Sequence, residues 1–242
     1  MLLLHPLGLD RRAFDALRGA LDPTWNVLSY DQRGHGSRAA DDGFGLEQLV
    51  DDAVAVGRSL GGPVHLVGHA MGGVVAALAA ARLETVRTLA VAAVPLTSQP
   101  AFAERAERIE AGARAAVFEQ SLARWFQGLE AEPRYATAAR YGRASLDATS
   151  TRGYASGWRA LAAFGTLDLA SAGVPTLCIA AADDASVPLS TFNALDTGPA
   201  GASAQLRLAV LPKGGHMLPL MEPEASARLL QEHWNHAHQA QR

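Results

Sequence analysis

A single cysteine, Cys178, stands among the 242 residues, so no internal disulfide can form. Its place in the apolar run 174–181 reads as a buried, inert thiol. Lysine is as scarce: 20 of the 21 basic side chains are scattered arginines and Lys213 is the exception. With 24 acidic residues the formal charge is −3, so no broad basic surface exists and nucleic acid is not an expected partner. Nor does any apolar stretch reach the roughly 20 residues needed to cross a bilayer unbroken by charge, proline or glycine, so no membrane partner is expected. The opening Met1-Leu2-Leu3-Leu4 meets His5-Pro6 at once and has no basic leader, which suggests a cytoplasmic protein. Three histidines, His233, His236 and His238, crowd the tail without completing a set of metal ligands, and a frayed C-terminal helix is expected there.

What the chain does have is apolar content, 49%, enough for the core of one α/β domain. Short apolar runs at 2–5, 26–30, 64–68, 87–93, 175–181 and 205–211 are bounded by Gly, Pro or Asp and read as buried strands. Between them, 11–21, 46–60, 71–83 and 222–234 repeat apolar residues at three- and four-residue steps, the spacing of crossover helices. Strand alternating with helix predicts a mostly parallel sheet covered on both faces.

The alternation stops between Pro95 and Asp168, where helical spacing appears at 101–120, 122–128, 134–146 and 156–164. The expected division is therefore a core of 1–95 and 169–242 with an inserted helical lid, 96–168. Nine of the fifteen aromatic residues fall in that insertion, most of them for its own core and one or two for a substrate cavity.

In a parallel sheet, ligands bind at the carboxyl ends of the strands, which directs attention to three loops. Gly68-His69-Ala70-Met71-Gly72-Gly73 follows the third run and opens a helix. It resembles the nucleophile elbow of the α/β-hydrolases, G-x-S-x-G, with alanine where the serine belongs. Asp183-Asp184-Ala185-Ser186-Val187-Pro188 and Gly214-Gly215-His216 follow the last two runs, in the family's order of elbow, acid and histidine. Pro188, four residues beyond Asp184, matches the family's D-x-x-x-P and selects Asp184 over Asp183. The loop His5-Pro6-Leu7-Gly8 resembles the family's H-G-x-G. Proline has no N–H, so Leu7 and Met71 become the expected backbone donors of an oxyanion hole. Tyr30-Asp31-Gln32-Arg33-Gly34-His35-Gly36 resembles a superfamily loop that holds the fold, and no chemistry is assigned to it.

The segments Arg105 to Gly112, Arg124-Trp125-Phe126, Gly153 to Trp158 and Leu167-Asp168 resemble the lid of 3-oxoadipate enol-lactonase-like hydrolases. With the core loops, the likeness spans nearly the whole chain. It implies an α/β-hydrolase fold, a small lactone or ester as substrate, no metal or organic cofactor, and a monomer or small homo-oligomer. It further implies His216 as the base, Asp184 as its orienting acid, Trp125 and Trp158 against the substrate, and Arg124 available to a substrate carboxylate. The family usually begins with a two-strand hairpin, whereas this sequence starts directly at the strand expected to follow it. Carbon–carbon cleavage or cofactor-free oxygenation with His216 as base are alternatives for the same site. Ala70 in an otherwise intact surround reads as a serine replaced to trap an uncleaved ligand, the alternative being a natural ligand-binding member.

Overall fold

The computed structural model describes residues 1–193, 195 and 205–240. Six parallel strands form one sheet: β1 (Leu2–Leu4), β2 (Leu28–Ser29), β3 (Val64–His69), β4 (Val86–Ala92), β5 (Thr176–Ala181) and β6 (Leu206–Leu211). Their order is β2-β1-β3-β4-β5-β6. β1, β3 and β5 are buried along their whole length, as unbroken apolar runs require when helices cover both faces. The strand expected over 26–30 is only two residues long, with Leu28 exposed at the sheet edge.

Helices α1 (Asp15–Ala20), α2 (Leu46–Ser59) and α3 (Met71–Ala80) cross between the early strands. The chain leaves β1 to one side for β2 and returns to the other side for β3. The switch point of the sheet is therefore the crevice between β1 and β3, where Leu4 pairs with Gly68.

Four helices fill the stretch after β4: α4 (Pro100–Arg108), α5 (Arg114–Phe126), α6 (Ala136–Ala148) and α7 (Thr151–Ala163). A bridge between Thr97 and Thr166, flanked by Leu167 N–H to Leu96 O at 2.8 Å, closes the base of this unit. The periodicity predicted helices over 101–120 and 122–128. The break instead falls at Gly112, at φ 93° inside a turn of π-helix, and α5 runs unbroken past residue 121. Glycine alone takes that φ readily, and a helix register is easier to read from sequence than the one residue that interrupts it.

The C-terminal helix also departs from expectation. After the short α8 (Leu218–Met221), α9 runs from Pro223 to Ala240 and is packed rather than frayed. Trp234 is fully buried, its ring 4.7 Å from that of Trp25. His233 is buried and donates from Nε2 to Leu89 O at 3.2 Å, while His236 lies exposed. Contact with residues some two hundred positions earlier in the chain holds this helix, so its polar composition was misleading.

Candidate active site

The elbow is built from steric necessity. α3 meets β3 and β1 so closely that a Cβ on Gly68 would lie 2.2 Å from Gly72 O, and one on Gly72 would lie 2.1 Å from Leu4 O. Both contacts are with backbone, which cannot step aside. Gly72→Ala is expected to cost at least about 3 kcal/mol, the upper end of ordinary overpacking, read as a lower denaturant midpoint. A loss under about 1 kcal/mol would show that the strand–helix contact yields.

Between those glycines Ala70 sits at φ 48°, ψ −112°, one of three non-glycine residues at positive φ among the described residues. Such a conformation costs on the order of 1–3 kcal/mol and persists only where neighbours impose it. Ala70 N–H donates to Ala92 O at 2.9 Å, and Ala70 O accepts from Gly73 N–H at 2.9 Å and Val74 N–H at 3.1 Å. These bonds fix the turn whatever side chain stands there.

Asp184 and His216 meet beside this turn. Asp184 Oδ2 accepts from His216 Nδ1–H at 3.0 Å, and Oδ1 accepts from Ser186 N–H at 2.7 Å and Val187 N–H at 2.9 Å. Burial alone would raise the Asp184 pKa, but His216 and the two backbone donors outweigh it and hold the carboxyl below its ordinary value. The neighbouring Asp183 instead accepts from Gly215 N–H at 2.9 Å, and its carbonyl accepts from Gln127 Nε2–H at 2.5 Å. It braces the histidine loop and ties it to the end of α5. Behind the elbow, His69 Nε2–H donates to His216 O at 2.7 Å, with burial driving its pKa down to about 3.

The loop after β1 reaches the same crevice. Neither Leu7 N–H nor Met71 N–H has a protein acceptor among the described residues, and both residues line one cavity with Ala70 and His216. Met71 also opens α3, where the helix dipole favours negative charge. The H-G-x-G-like loop is held from beneath by two histidines. His5 Nδ1–H donates to Pro6 O at 2.8 Å while Nε2 accepts from Gln32 N–H at 2.9 Å. His35 Nδ1–H donates to Arg33 O at 2.8 Å while Nε2 accepts from Gly8 N–H at 3.0 Å. Each ring is thereby fixed as a neutral tautomer, and burial first, then His5, lowers the His35 pKa to about 3. The loop to which no chemistry was assigned thus positions the His5-Pro6-Leu7-Gly8 loop through His35.

The cavity lies between these loops and α4, α5 and α7. Of the nine aromatic residues in the helical insertion, Phe102, Trp125 and Trp158 line it. Trp158 Nε1–H is buried without an acceptor among the described residues. Arg124 lines the cavity, half-buried, its polar contact being Ser121 Oγ at 3.4 Å. Arg105, which sequence reasoning read only as the start of a lid segment, lies there too, its guanidinium 4.6 Å from the centre of the Trp158 ring. No carboxylate pairs with either arginine among the described residues. Burial and then the nearby Arg124 lower the Arg105 pKa to about 10, as expected of two like charges drawn out of water. Among the described residues no cluster of three or more His, Cys, Asp or Glu could hold a metal ion, and no helix is long and apolar enough to cross a membrane.

A family model described as "Alpha/beta hydrolase family" matches residues 1–229. A 3-oxoadipate enol-lactonase of Acinetobacter baylyi is 31% identical over 194 residues, covering 78% of this chain and 71% of that one. The structure of an enol-lactonase from Burkholderia xenovorans superposes with a TM-score of 0.84 at 24% identity, covering 97% of this chain and 90% of that one. A thermophilic esterase from Thermogutta terrifontis gives a TM-score of 0.82 at 24% identity, with 98% and 89% covered.

Proposed function

The chain belongs to the alpha/beta hydrolase family, and from that premise we propose that its site is built to hydrolyse a small lactone or carboxylic ester carrying a free carboxylate, with position 70 as the nucleophile position. One observation carries this reading: the Asp184–His216 pair and two backbone N–H groups without an acceptor among the described residues converge with residue 70 on one cavity at the sheet's switch point. With serine at 70, His216 Nε2 takes the hydroxyl proton as Oγ attacks the acyl carbon, and Leu7 and Met71 N–H stabilise the developing oxyanion. Asp184 holds the imidazole tautomer and stabilises the imidazolium. With alanine at 70 the same cavity binds the acyl compound and forms no acyl-enzyme. The test is Ala70→Ser assayed on p-nitrophenyl acetate and the lactone dihydrocoumarin; a folded but inert variant overturns the reading.

The helices over the cavity serve as a lid, with Trp125 and Trp158 as its apolar wall. Arg105 and Arg124, which pair with no carboxylate among the described residues, await one from the substrate, which a guanidinium can grip bidentately. In the Ala70→Ser background, Arg105→Ala and Arg124→Ala should each raise KM roughly 10- to 100-fold for an aryl ester whose acyl chain ends in a carboxylate. kcat should hold, and the methyl-capped ester should show no change. Equal effects on both esters would show that the arginines only pack the lid.

A further inference from the structure

With Ala70 in place the site still holds a complete base. Asp184 engages His216 through Nδ1, leaving Nε2 with no protein partner among the described residues, in a residue that lines the same cavity as Ala70. His69 anchors the His216 backbone from behind, and Asp183 anchors the preceding glycine, so the imidazole does not depend on a residue-70 hydroxyl for its position. The oxyanion donors are likewise independent of that side chain, since Leu7 is positioned by its own loop and Met71 by the helix start. Shortening serine to alanine clears space on the reacting side of the cavity. Water occupies such a site where polar partners converge, and here the basic nitrogen and the substrate carbonyl provide them.

We propose that the chain, as it stands, is a slow hydrolase in which the Asp184–His216 pair activates a water molecule over the Ala70 methyl for direct attack on the acyl carbon. The inference rests on the acyl-hydrolase reading of the site. His216 Nε2 takes one water proton as the water oxygen bonds to the carbonyl carbon, and the carbonyl electron pair moves onto the oxygen facing Leu7 and Met71 N–H. Collapse of this intermediate breaks the bond to the leaving oxygen, which receives the proton from His216. The products are acid and alcohol, or a hydroxy acid from a lactone, and His216 returns to its starting state. No acyl-enzyme lies on the route.

The experiment measures turnover of p-nitrophenyl acetate and dihydrocoumarin by the unaltered chain, by His216→Gln and by Asp184→Asn. General-base assistance is worth about 10²-fold at its lower end, so His216→Gln should lower the rate by about that factor, with KM little changed. Asp184→Asn, which leaves the ring in place but disturbs its tautomer, should lower it in the same direction. Rapid mixing of the unaltered chain should show no burst of nitrophenol. Ala70→Ser should show a burst. Rates unaffected by either dyad variant, or an acyl group found on His216 by mass spectrometry, would overturn the water route; the latter would make the imidazole itself the nucleophile. If Ala70→Ser is active while the dyad variants change nothing, the water route falls and the hydrolase reading stands. If Ala70→Ser is inert as well, both fall.

Discussion

Ala70→Ser is expected to raise kcat on p-nitrophenyl acetate by about 10⁴-fold. In a comparable triad, loss of the serine costs about 10⁶ in kcat, and the water route restores about 10² of that to the alanine form. Every other requirement for the gain is already met. The turn at residue 70 is held by Ala92, Gly73 and Val74 and keeps its φ of 48° without a hydroxyl. His216 Nδ1–H is already bonded to Asp184 Oδ2 at 3.0 Å, and the residue lines the cavity that the added Oγ would enter. The gain should vanish in Ala70→Ser/His216→Gln, because a serine hydroxyl is a weak nucleophile without a base to take its proton. Ala70→Gly makes a useful control, since it relieves the positive-φ penalty of about 1 kcal/mol and supplies no nucleophile. It should raise stability and leave the rate near that of the alanine form. A serine variant that is folded, binds and yet turns over no faster than Ala70 would refute the reading at its centre.

Local constraints made the elbow legible in the sequence. Gly68 is dictated by backbone contacts with Gly72 and Gly73 a few residues on, a constraint visible however the rest of the chain folds, whereas Gly72 is dictated by the backbone of Leu4 and His5 nearly seventy positions earlier. Asp184 and His216 could be read because each follows a strand directly and strand ends in a parallel sheet converge. Arg105 was read only as the start of a lid segment, because it is one of 20 arginines and what distinguishes it is the absence of an acidic partner among the described residues, a property of three dimensions. It and Arg124 reach the same cavity from helices on either side of the break at Gly112, so neither spacing nor face could predict their meeting. The support of Gly8 by His35 spans 27 residues and depends on a ring tautomer. Trp234 and Trp25 meet across almost the whole chain, which is why a histidine-rich tail looked loose when it is part of the core.

Acid should unfold this protein well before its carboxylates are neutralised. Burial drives the pKa of His35 and His69 down to about 3 and that of His233 to about 4, against about 6.5 for an exposed histidine. Between those limits the unfolded chain binds protons that the folded chain refuses, so stability rises with pH and falls as acid is added. Above about pH 6.5 both states are neutral at these rings and the effect disappears. Each histidine contributes about 1.4 kcal/mol per pH unit, so the three together remove up to about 6 kcal/mol by pH 5, against a typical total of about 5–15 kcal/mol. The depressed carboxyl of Asp184 acts in the same direction but only at lower pH. Its stabilisation is fully present above the ordinary carboxylate range, about pH 4, and is lost as pH falls through the lowered value. The histidine losses therefore come first. The geometry at His35 explains why the folded state cannot adapt: Nδ1–H is committed to Arg33 O, and a proton on Nε2 would face the N–H of Gly8. Tryptophan fluorescence and circular dichroism should report cooperative unfolding with a midpoint between about pH 4 and 5.5. His233→Gln, which keeps a donor toward Leu89 O and removes the titrating ring, should reduce the slope of stability against pH by one proton's share. A chain that keeps its pH 7 melting temperature at pH 4 would show that these imidazoles take up protons without loss of their packing.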